Sequence, residues 1–168
     1  MVLGEGRFLT LHSEAGWEFV RRNNASGVVV VVAISDKDEI VFVEQFRPPV
    51  NASVIELPAG LCGDTNDCES ALTAAQRELQ EETGYTSDQW RGLPTGPSSA
   101  GMSSEVLQLF VATGCRKSTA GGGVGDENIT VHVVPIASAY EWLLARSRSG
   151  TLIDPKVFAG LYFCHVSD

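Results

Sequence analysis

The chain has 168 residues, 21 acidic and 12 basic side chains, and a formal net charge of −9 with histidine uncharged. This length suits a single domain with a sizeable core. The acidic balance argues against a nucleic-acid partner, which needs a basic surface. No apolar run, Gly27 to Ile34 included, is long enough to span a bilayer, and the first ten residues lack a signal-peptide pattern. We therefore expect a cytoplasmic protein that binds neither nucleic acid nor a membrane.

The cysteines are predicted to be reduced thiols. Cys62, Cys68, Cys115 and Cys164 form no Cys-x-x-Cys pair. A domain of this size folds without covalent cross-links, and a zinc site built from these thiols would need a coincidence of the fold.

The first third of the chain is predicted to form strands. Short runs rich in β-branched or aromatic residues are broken by turn residues. These runs are Trp17–Arg22, Gly27–Ile34, Ile40–Phe46 and Val54–Leu57.

A helix is predicted from about Cys68 to Thr83. Apolar residues recur in it at helical spacing and should form its buried stripe, namely Ala71, Leu72, Ala75 and Leu79.

The second half of the chain predicts strands and helices in alternation. Strands are expected at Val106–Ala112 and Ile129–Val134, and helices at Tyr140–Arg146 and Pro155–Leu161. Between the two strands, the glycine-rich stretch Ser118–Asp126 predicts a mobile loop, either a connector or part of an active site. The whole pattern indicates an α+β sandwich with a mixed sheet and the acidic helix packed on it.

The acidic helix contains the candidate metal-binding residues. Glu78 and Glu82 lie one helical turn apart, so both carboxylates leave the same helix face, where like charges repel. Glu81 and, upstream, Glu69 add further negative charge. A hard divalent cation such as Mg²⁺ favours a cage of this kind, which predicts a metal site. The alternative is a solvated acidic face.

This segment resembles the Nudix signature from Gly63 to Tyr85. The order is glycine, five residues, glutamate, seven residues, Arg77-Glu78-Leu79-Gln80-Glu81-Glu82, one residue, glycine and a hydrophobic residue. The resemblance implies a Nudix-type α/β/α sandwich with a mixed β-sheet and one Nudix domain over residues 1–168. It also implies that residues 1–25 form a strand segment in the contact of a homodimer.

The resemblance also implies a ligand set for the metal. Glu78 and Glu82 would bind Mg²⁺, with Mn²⁺ as the other candidate, the main-chain carbonyl of Ala59 would complete the cage, and Glu81 would support it. Arg77 lies four residues before Glu81, where it can brace that carboxylate. An ordinary surface ion pair is the alternative for Arg77.

The flanking motifs resemble those of ADP-ribose and nucleotide-sugar diphosphatases. They are Trp17-Glu18, Glu44–Arg47, Glu56–Leu61, Gly125–Glu127 and Asp154–Lys156. They imply hydrolysis of a nucleoside diphosphate-sugar, with ADP-ribose giving AMP and ribose 5-phosphate. Ala100 stands where ADP-ribose diphosphatases usually have proline, which leaves the sugar and base open. A non-catalytic Nudix-like sensor and a triphosphate-sanitising diphosphatase are the alternative functions.

Diphosphate cleavage also needs a base that takes a proton from water. The loop before Ile129 offers Asp126 and Glu127, and matching Glu-Asn-Ile-Thr-Val to the family's loop-to-strand junction favours Glu127. The alternative is that both acids merely solvate a turn.

Five residues are candidates for substrate binding. By resemblance, Trp17 and Glu18 would recognise adenine through stacking and hydrogen bonding. Arg47 would contact phosphate, a task that suits a guanidinium group. Arg22 is a further candidate for the nucleoside half, and Glu105 matches a family acid near the metals. The alternatives are a core role for Trp17 and an exposed loop acid for Glu105.

Overall fold

The structure is a computed structural model that describes residues 1–63, 69–125 and 127–165. At its N-terminus, three antiparallel strands form a small separate sheet: β1 (Val2–Glu5), β2 (Leu9–Glu14) and β3 (Trp17–Arg22). The bounds of β3 are those that the sequence predicts. Strands β1 and β2 were not predicted, because Thr10 is their one buried residue and their sequence shows no clear alternation.

The other ten strands form one mixed sheet. Its first members are β4 (Gly27–Ser35), β5 (Glu39–Arg47), β6 (Ala52–Glu56) and β7 (Ala59–Cys62). The later members are β8 (Tyr85–Thr86), β9 (Gln89–Gly92), β10 (Gly96–Pro97), β11 (Val106–Lys117), β12 (Thr130–Pro135) and β13 (Leu152–Ile153). The pairs β4–β11 and β6–β13 are parallel, and the other pairs are antiparallel.

Helices cover both faces of this sheet. They are α1 (Ala71–Glu78), α2 (Ile136–Arg148) and α3 (Pro155–Cys164). Side chains of β4 alternate between two buried clusters: Val29 and Val31 pack on the α1 side, and Val30 and Val32 on the side of α2 and α3. The predicted α/β/α sandwich with a mixed β-sheet is therefore confirmed.

The acidic helix consists of α1 and the π-helical turn Leu79–Thr83 that continues it. It begins later than predicted because Ser70 caps it, its hydroxyl accepting the amide of Thr73 at 3.1 Å. The predicted start at Cys68 lies outside the described residues. It ends at Gly84, which adopts a left-handed conformation with φ of 73°.

The prediction that Leu72 belongs to the buried stripe is wrong. Leu72 is 39% exposed, whereas Ala74, Ala75 and Leu79 are fully buried. The buried face is centred on Ala71, Ala74 and Ala75, and Leu72, roughly 100° further round the helix than Ala71, lies outside this face.

The described cysteines Cys62, Cys115 and Cys164 are free thiols, and Cys68 lies outside the described residues. Burial raises the pKa of Cys115 and of Cys164 to about 11, which disfavours their reactive thiolate forms. In the described ranges, none of the helices combines the length and the apolar character that crossing a membrane requires.

Candidate active site

Arg77 organises the carboxylates of the acidic helix. Its guanidinium donates to Glu69 at 3.0 Å, to Glu78 at 2.8 Å and to Glu81 at 3.0 Å. It also donates to the carbonyl of Leu61 at 2.9 Å, which ties the helix to β7. The hydrogen bond to Glu69, the charge of Glu78 and the hydrogen bonds to Glu78 and Glu81 raise the pKa of Arg77. The predicted contact with Glu81 is present, as one part of a larger network.

Glu78 lies directly over a glycine of β7. A Cβ atom added to Gly60 would lie 1.9 Å from the carboxyl carbon of Glu78, so the position leaves no room for a side chain. The missing side chain of Gly60 therefore lets β7 approach the helix closely enough for both to line one site.

Glu82 is the most buried acid of the site, with 4% of its surface exposed. Its carboxylate accepts the main-chain amide of Ala59 at 3.0 Å. Burial, and to a smaller extent the nearby negative charges of Glu78, Glu127 and Glu56, together raise the pKa of Glu82 to about 8, although the hydrogen bond from Ala59 acts to lower it. A bound cation would relieve this repulsion, so the donor set fits a metal ion chemically.

The acidic side chains of the described residues do not form a complete set of metal ligands. In the residues that the structure describes, no three acidic, histidine or cysteine side chains are grouped so that they could hold a metal ion. Glu78 is hydrogen-bonded to Arg77 and Glu82 to the amide of Ala59. The predicted ligands therefore lie in one place, and their ligand roles stay a prediction.

These groups line a cavity of about 480 Å³. Its charged lining consists of Arg22, Arg47, Lys156, Glu56, Glu78, Glu82, Glu105, Glu127 and Asp154. Two further cavities adjoin it: one of about 480 Å³ shares Arg22 and Glu105, and one of about 450 Å³ shares Gln45 and Glu127. The acids therefore lie in the middle of an extended cleft.

Each cation of the central cavity is paired with an acid. Arg22 donates to Glu105 at 2.9 Å, and Arg47 donates to Glu56 at 2.5 Å. Lys156 forms an ion pair with Asp154. Such pairs hold the cations in place inside an otherwise acidic cleft.

The predicted base also lies in this cavity. Glu127 lines it together with Glu78 and Glu82, and its carboxylate accepts the amide of Val124 at 2.9 Å. Asp126 lies outside the described residues, so the choice between the two acids stays a prediction.

The structure does not bring two of the predicted binding residues into the cavity. Trp17 and Glu18 lie on β3, and neither is among the residues that line the described cavities. Trp17 is 62% exposed, so the alternative that it is a core residue is wrong. Its ring lies 3.8 Å from the place of a Cβ atom on Gly101, beside the segment that carries Ala100.

Sequence reasoning assigned no role to Glu56, Asp154 or Lys156, although all three lie in the quoted motifs. Asp154 caps α3, its carboxylate accepting the amide of Lys156 at 2.8 Å, and its own amide bonds to Ile55 of β6 at 2.9 Å. For Asp154 and Lys156, the sequence shows the Asp-Pro-Lys pattern of a capped helix start. This pattern predicts a helix but does not predict a functional site.

Comparisons with known proteins identify the family of the chain. A family model described as "NUDIX domain" matches residues 24–152. The "Methanol dehydrogenase activator" of Bacillus methanolicus is 38% identical over 143 residues, which are 84% of this chain and 74% of that protein.

Two further relatives have names that describe a substrate. The "ADP-ribose pyrophosphatase" of Mycobacterium tuberculosis is 33% identical over 140 residues, which are 83% of this chain and 65% of that protein, just under two thirds of its length. The "GDP-mannose pyrophosphatase" of Citrobacter koseri is 29% identical over 153 residues, which are 86% of this chain and 76% of that protein.

A solved structure shares the fold. The "Crystal structure of ADP compounds hydrolase" has a TM-score of 0.67 and 21% identity, and the match covers 89% of this chain and 85% of that one.

Proposed function

Because this chain belongs to the Nudix family of hydrolases acting on diphosphate bonds, we propose that it cleaves the diphosphate linkage of a nucleoside diphosphate-sugar. One observation carries the proposal: Glu78, Glu82 and Glu127 meet Arg22 and Arg47 around a single cavity. Anhydride hydrolysis needs this combination, since the phosphates require cations and the attacking water requires a base. The products are a nucleoside monophosphate and a sugar phosphate.

Glu78 and Glu82, together with the carbonyl of Ala59, would hold Mg²⁺ or Mn²⁺, and Glu81 would support them. The metal, when bound, neutralises phosphate charge and lowers the pKa of a water molecule. Arg77 keeps Glu78 and Glu81 oriented through hydrogen bonds of 2.8 Å and 3.0 Å.

Two arginines would bind the substrate's phosphates. Arg47 is held by Glu56 through both carboxylate oxygens, at 2.5 Å to 3.2 Å. Arg22 is held by Glu105 through two donors, at 2.9 Å and 3.1 Å. These pairs fix the guanidinium groups before substrate arrives, which lowers the ordering entropy that binding requires.

Glu127 would accept the proton of the attacking water. Its carboxylate lies near enough to Glu82 for its charge to raise the pKa of that residue. A base in this position faces the same cavity as the metal ligands, as in-line attack on a bound diphosphate requires.

ADP-ribose is the substrate that the motifs favour, and the relative named ADP-ribose pyrophosphatase supports it. The relative named GDP-mannose pyrophosphatase supports the same reaction on another nucleotide-sugar. The segment that contains Ala100 packs beside β3, because the amide of Val20 in β3 donates to the carbonyl of Met102 at 2.9 Å. The departure from proline at Ala100 therefore lies beside Trp17, next to the proposed nucleoside site.

The experiment is a substrate screen with Mg²⁺ and with Mn²⁺. ADP-ribose, ADP-glucose, UDP-glucose and GDP-mannose are incubated with the protein, and new phosphomonoesters are read by alkaline phosphatase. Nucleoside triphosphates are tested in parallel through pyrophosphate release. Cleavage of triphosphates alone would replace the proposal with the sanitising function, and tight binding without cleavage would favour a sensor.

A further inference from the structure

The end of the acidic helix is covered by residues 117–123. Four consecutive carbonyls close this helix, and helix-end carbonyls need partners from outside it. The amides of Gly123 and Gly122 donate to Glu81 at 3.0 Å and to Glu82 at 2.8 Å. The amide of Ser118 donates to Gly84 at 2.7 Å. Every one of these contacts joins the loop before Glu127 to the segment of the predicted metal ligands.

The fourth carbonyl, that of Thr83, is bound by a side chain. The ammonium group of Lys117 donates to it at 2.7 Å and to the carbonyl of Ala120, inside the loop, at 2.9 Å. The same group lies 5.3 Å from the centre of the Tyr85 ring. Lys117 therefore joins the loop to the helix end through its ammonium group.

The loop is docked on the helix with main chain against main chain. A Cβ atom on Gly121 would lie 2.3 Å from the carbonyl carbon of Thr83, and one on Gly84 would lie 2.2 Å from the oxygen of Thr119. Both glycines have positive φ, 70° and 73°. The sequence predicts that the glycine-rich stretch is mobile. In the structure, the first half of this stretch is hydrogen-bonded to the end of the acidic helix.

The second half of the loop positions Glu127. A Cβ atom on Gly123 would lie 2.6 Å from Cβ of Glu127, and the carbonyl of Gly122 accepts the amide of Ile129 at 3.2 Å. The amide of Val124 binds the Glu127 carboxylate at 2.9 Å. A shift of the docked loop would therefore move this carboxylate relative to Glu82.

We propose that Lys117 is a positioning residue for the reaction: by holding the glycine-rich loop on the end of the acidic helix, it sets the distance between Glu127 and Glu82. The inference rests on the proposed function, in which Glu127 takes a proton beside the metal. A general base must lie within hydrogen-bond reach of its water, so a small displacement lowers the rate of the chemical step and leaves substrate binding unchanged.

A double-mutant cycle tests the proposal. Lys117→Met should lower kcat about tenfold with KM changed less than about twofold, and Lys117→Arg, which keeps the donors, should restore most of the rate. In a Glu127→Gln background, Lys117→Met should have no further effect, because the group it positions is gone. Lys37→Met, the same change in an exposed turn, is the matched control and should match wild type.

Amide hydrogen exchange gives a readout that does not depend on activity. Exchange of Gly122 and Gly123 should be at least about tenfold faster in Lys117→Met than in wild type or in Lys37→Met. Unchanged exchange, or an equal fall in kcat in both the wild-type and the Glu127→Gln backgrounds, would overturn the proposal. A wild-type protein that cleaves no nucleotide-sugar, but whose loop exchange still depends on Lys117, would instead overturn the proposed function alone.

Discussion

Burial in the site makes the carboxyl group of Glu82 harder to ionise. The residue is 4% exposed, and the pKa of its carboxyl is raised from its ordinary value of 4.5 to about 8, chiefly because burial disfavours the charged form. The folded protein therefore binds this proton more tightly than the unfolded chain does. The stability that follows is complete below about pH 4.5 and is lost as the pH rises through about 8.

Metal-free Glu82→Gln should remove this pH dependence. We expect the variant to gain stability relative to wild type between pH 5 and pH 8, since the amide carries no charge that needs solvation. Thermal unfolding in EDTA at several pH values measures the difference. A constant difference between the two proteins across that range would show that Glu82 does not titrate as its burial implies.

The same variant should lose activity. Glu82→Gln keeps the size of the side chain and removes one charge from the proposed metal cage, so the rate should fall at least ~100-fold. Steady-state kinetics at saturating Mg²⁺ check this, and circular dichroism confirms that the variant is folded. Near-normal turnover would mean that Glu82 is not a metal ligand.

Glu127 is expected to act in the chemical step. Glu127→Gln should lower kcat roughly 100- to 10,000-fold while metal and substrate affinities stay close to wild type. Asp126→Asn is the neighbouring comparison and should do less. If Asp126→Asn is the more damaging change, the base is one residue earlier.

Trp17 tests nucleoside recognition. Trp17→Ala should raise KM for an adenine nucleotide-sugar about tenfold with little change in kcat, because stacking acts equally in the ground and transition states. The side chain is 62% exposed, so the melting temperature should hardly move. Phe8→Ala, at 59% exposure in the connection between β1 and β2, is the control. Equal KM values for the two variants would remove Trp17 from the substrate site.

At the scale of elements, the close approach of β7 to the acidic helix shapes the proposed metal site. A methyl group on Gly60 would collide with the Glu78 carboxylate, whose carbon would be 1.9 Å away, and that flexible group would have to move. Gly60→Ala should therefore weaken Mn²⁺ binding about tenfold and leave the fold intact. Calorimetric titration measures the affinity. Gly92→Ala, where a Cβ atom meets nothing within 4 Å, is the control and should bind Mn²⁺ normally.

At the scale of the whole molecule, the small N-terminal sheet is the proposed dimer contact within residues 1–25. Its exposed apolar residues include Leu9 and Leu11, which are 43% and 38% exposed and share one face of β2. Changing both to Glu should convert a homodimer into a monomer, as measured by light scattering. Leu72→Glu, 39% exposed on α1, should leave the oligomeric state unchanged. A wild-type monomer at micromolar concentration would contradict the proposal.

Local patterns were enough to predict several elements of the fold. Strand β3 has its predicted bounds, and β4, β5 and α2 extend the predicted segments by only a few residues at their ends. These elements have strong alternation or helical periodicity, which depends on near neighbours in the chain. The Nudix signature likewise lies within one continuous stretch, so its carboxylates could be named from the sequence.

The sequence by itself thus determined the family, most of the acidic helix and four of the acids that line the cleft, namely Glu78, Glu82, Glu105 and Glu127. Only the tertiary structure decided which partner each of them has: Arg22 with Glu105, Arg47 with Glu56, Lys117 with Thr83. It also decided that Ala74 rather than Leu72 is buried and that the glycine-rich loop lies against the helix end. Most of these contacts join residues far apart in the chain, and all of them depend on how the backbones of different elements approach each other, which no local pattern of residues contains.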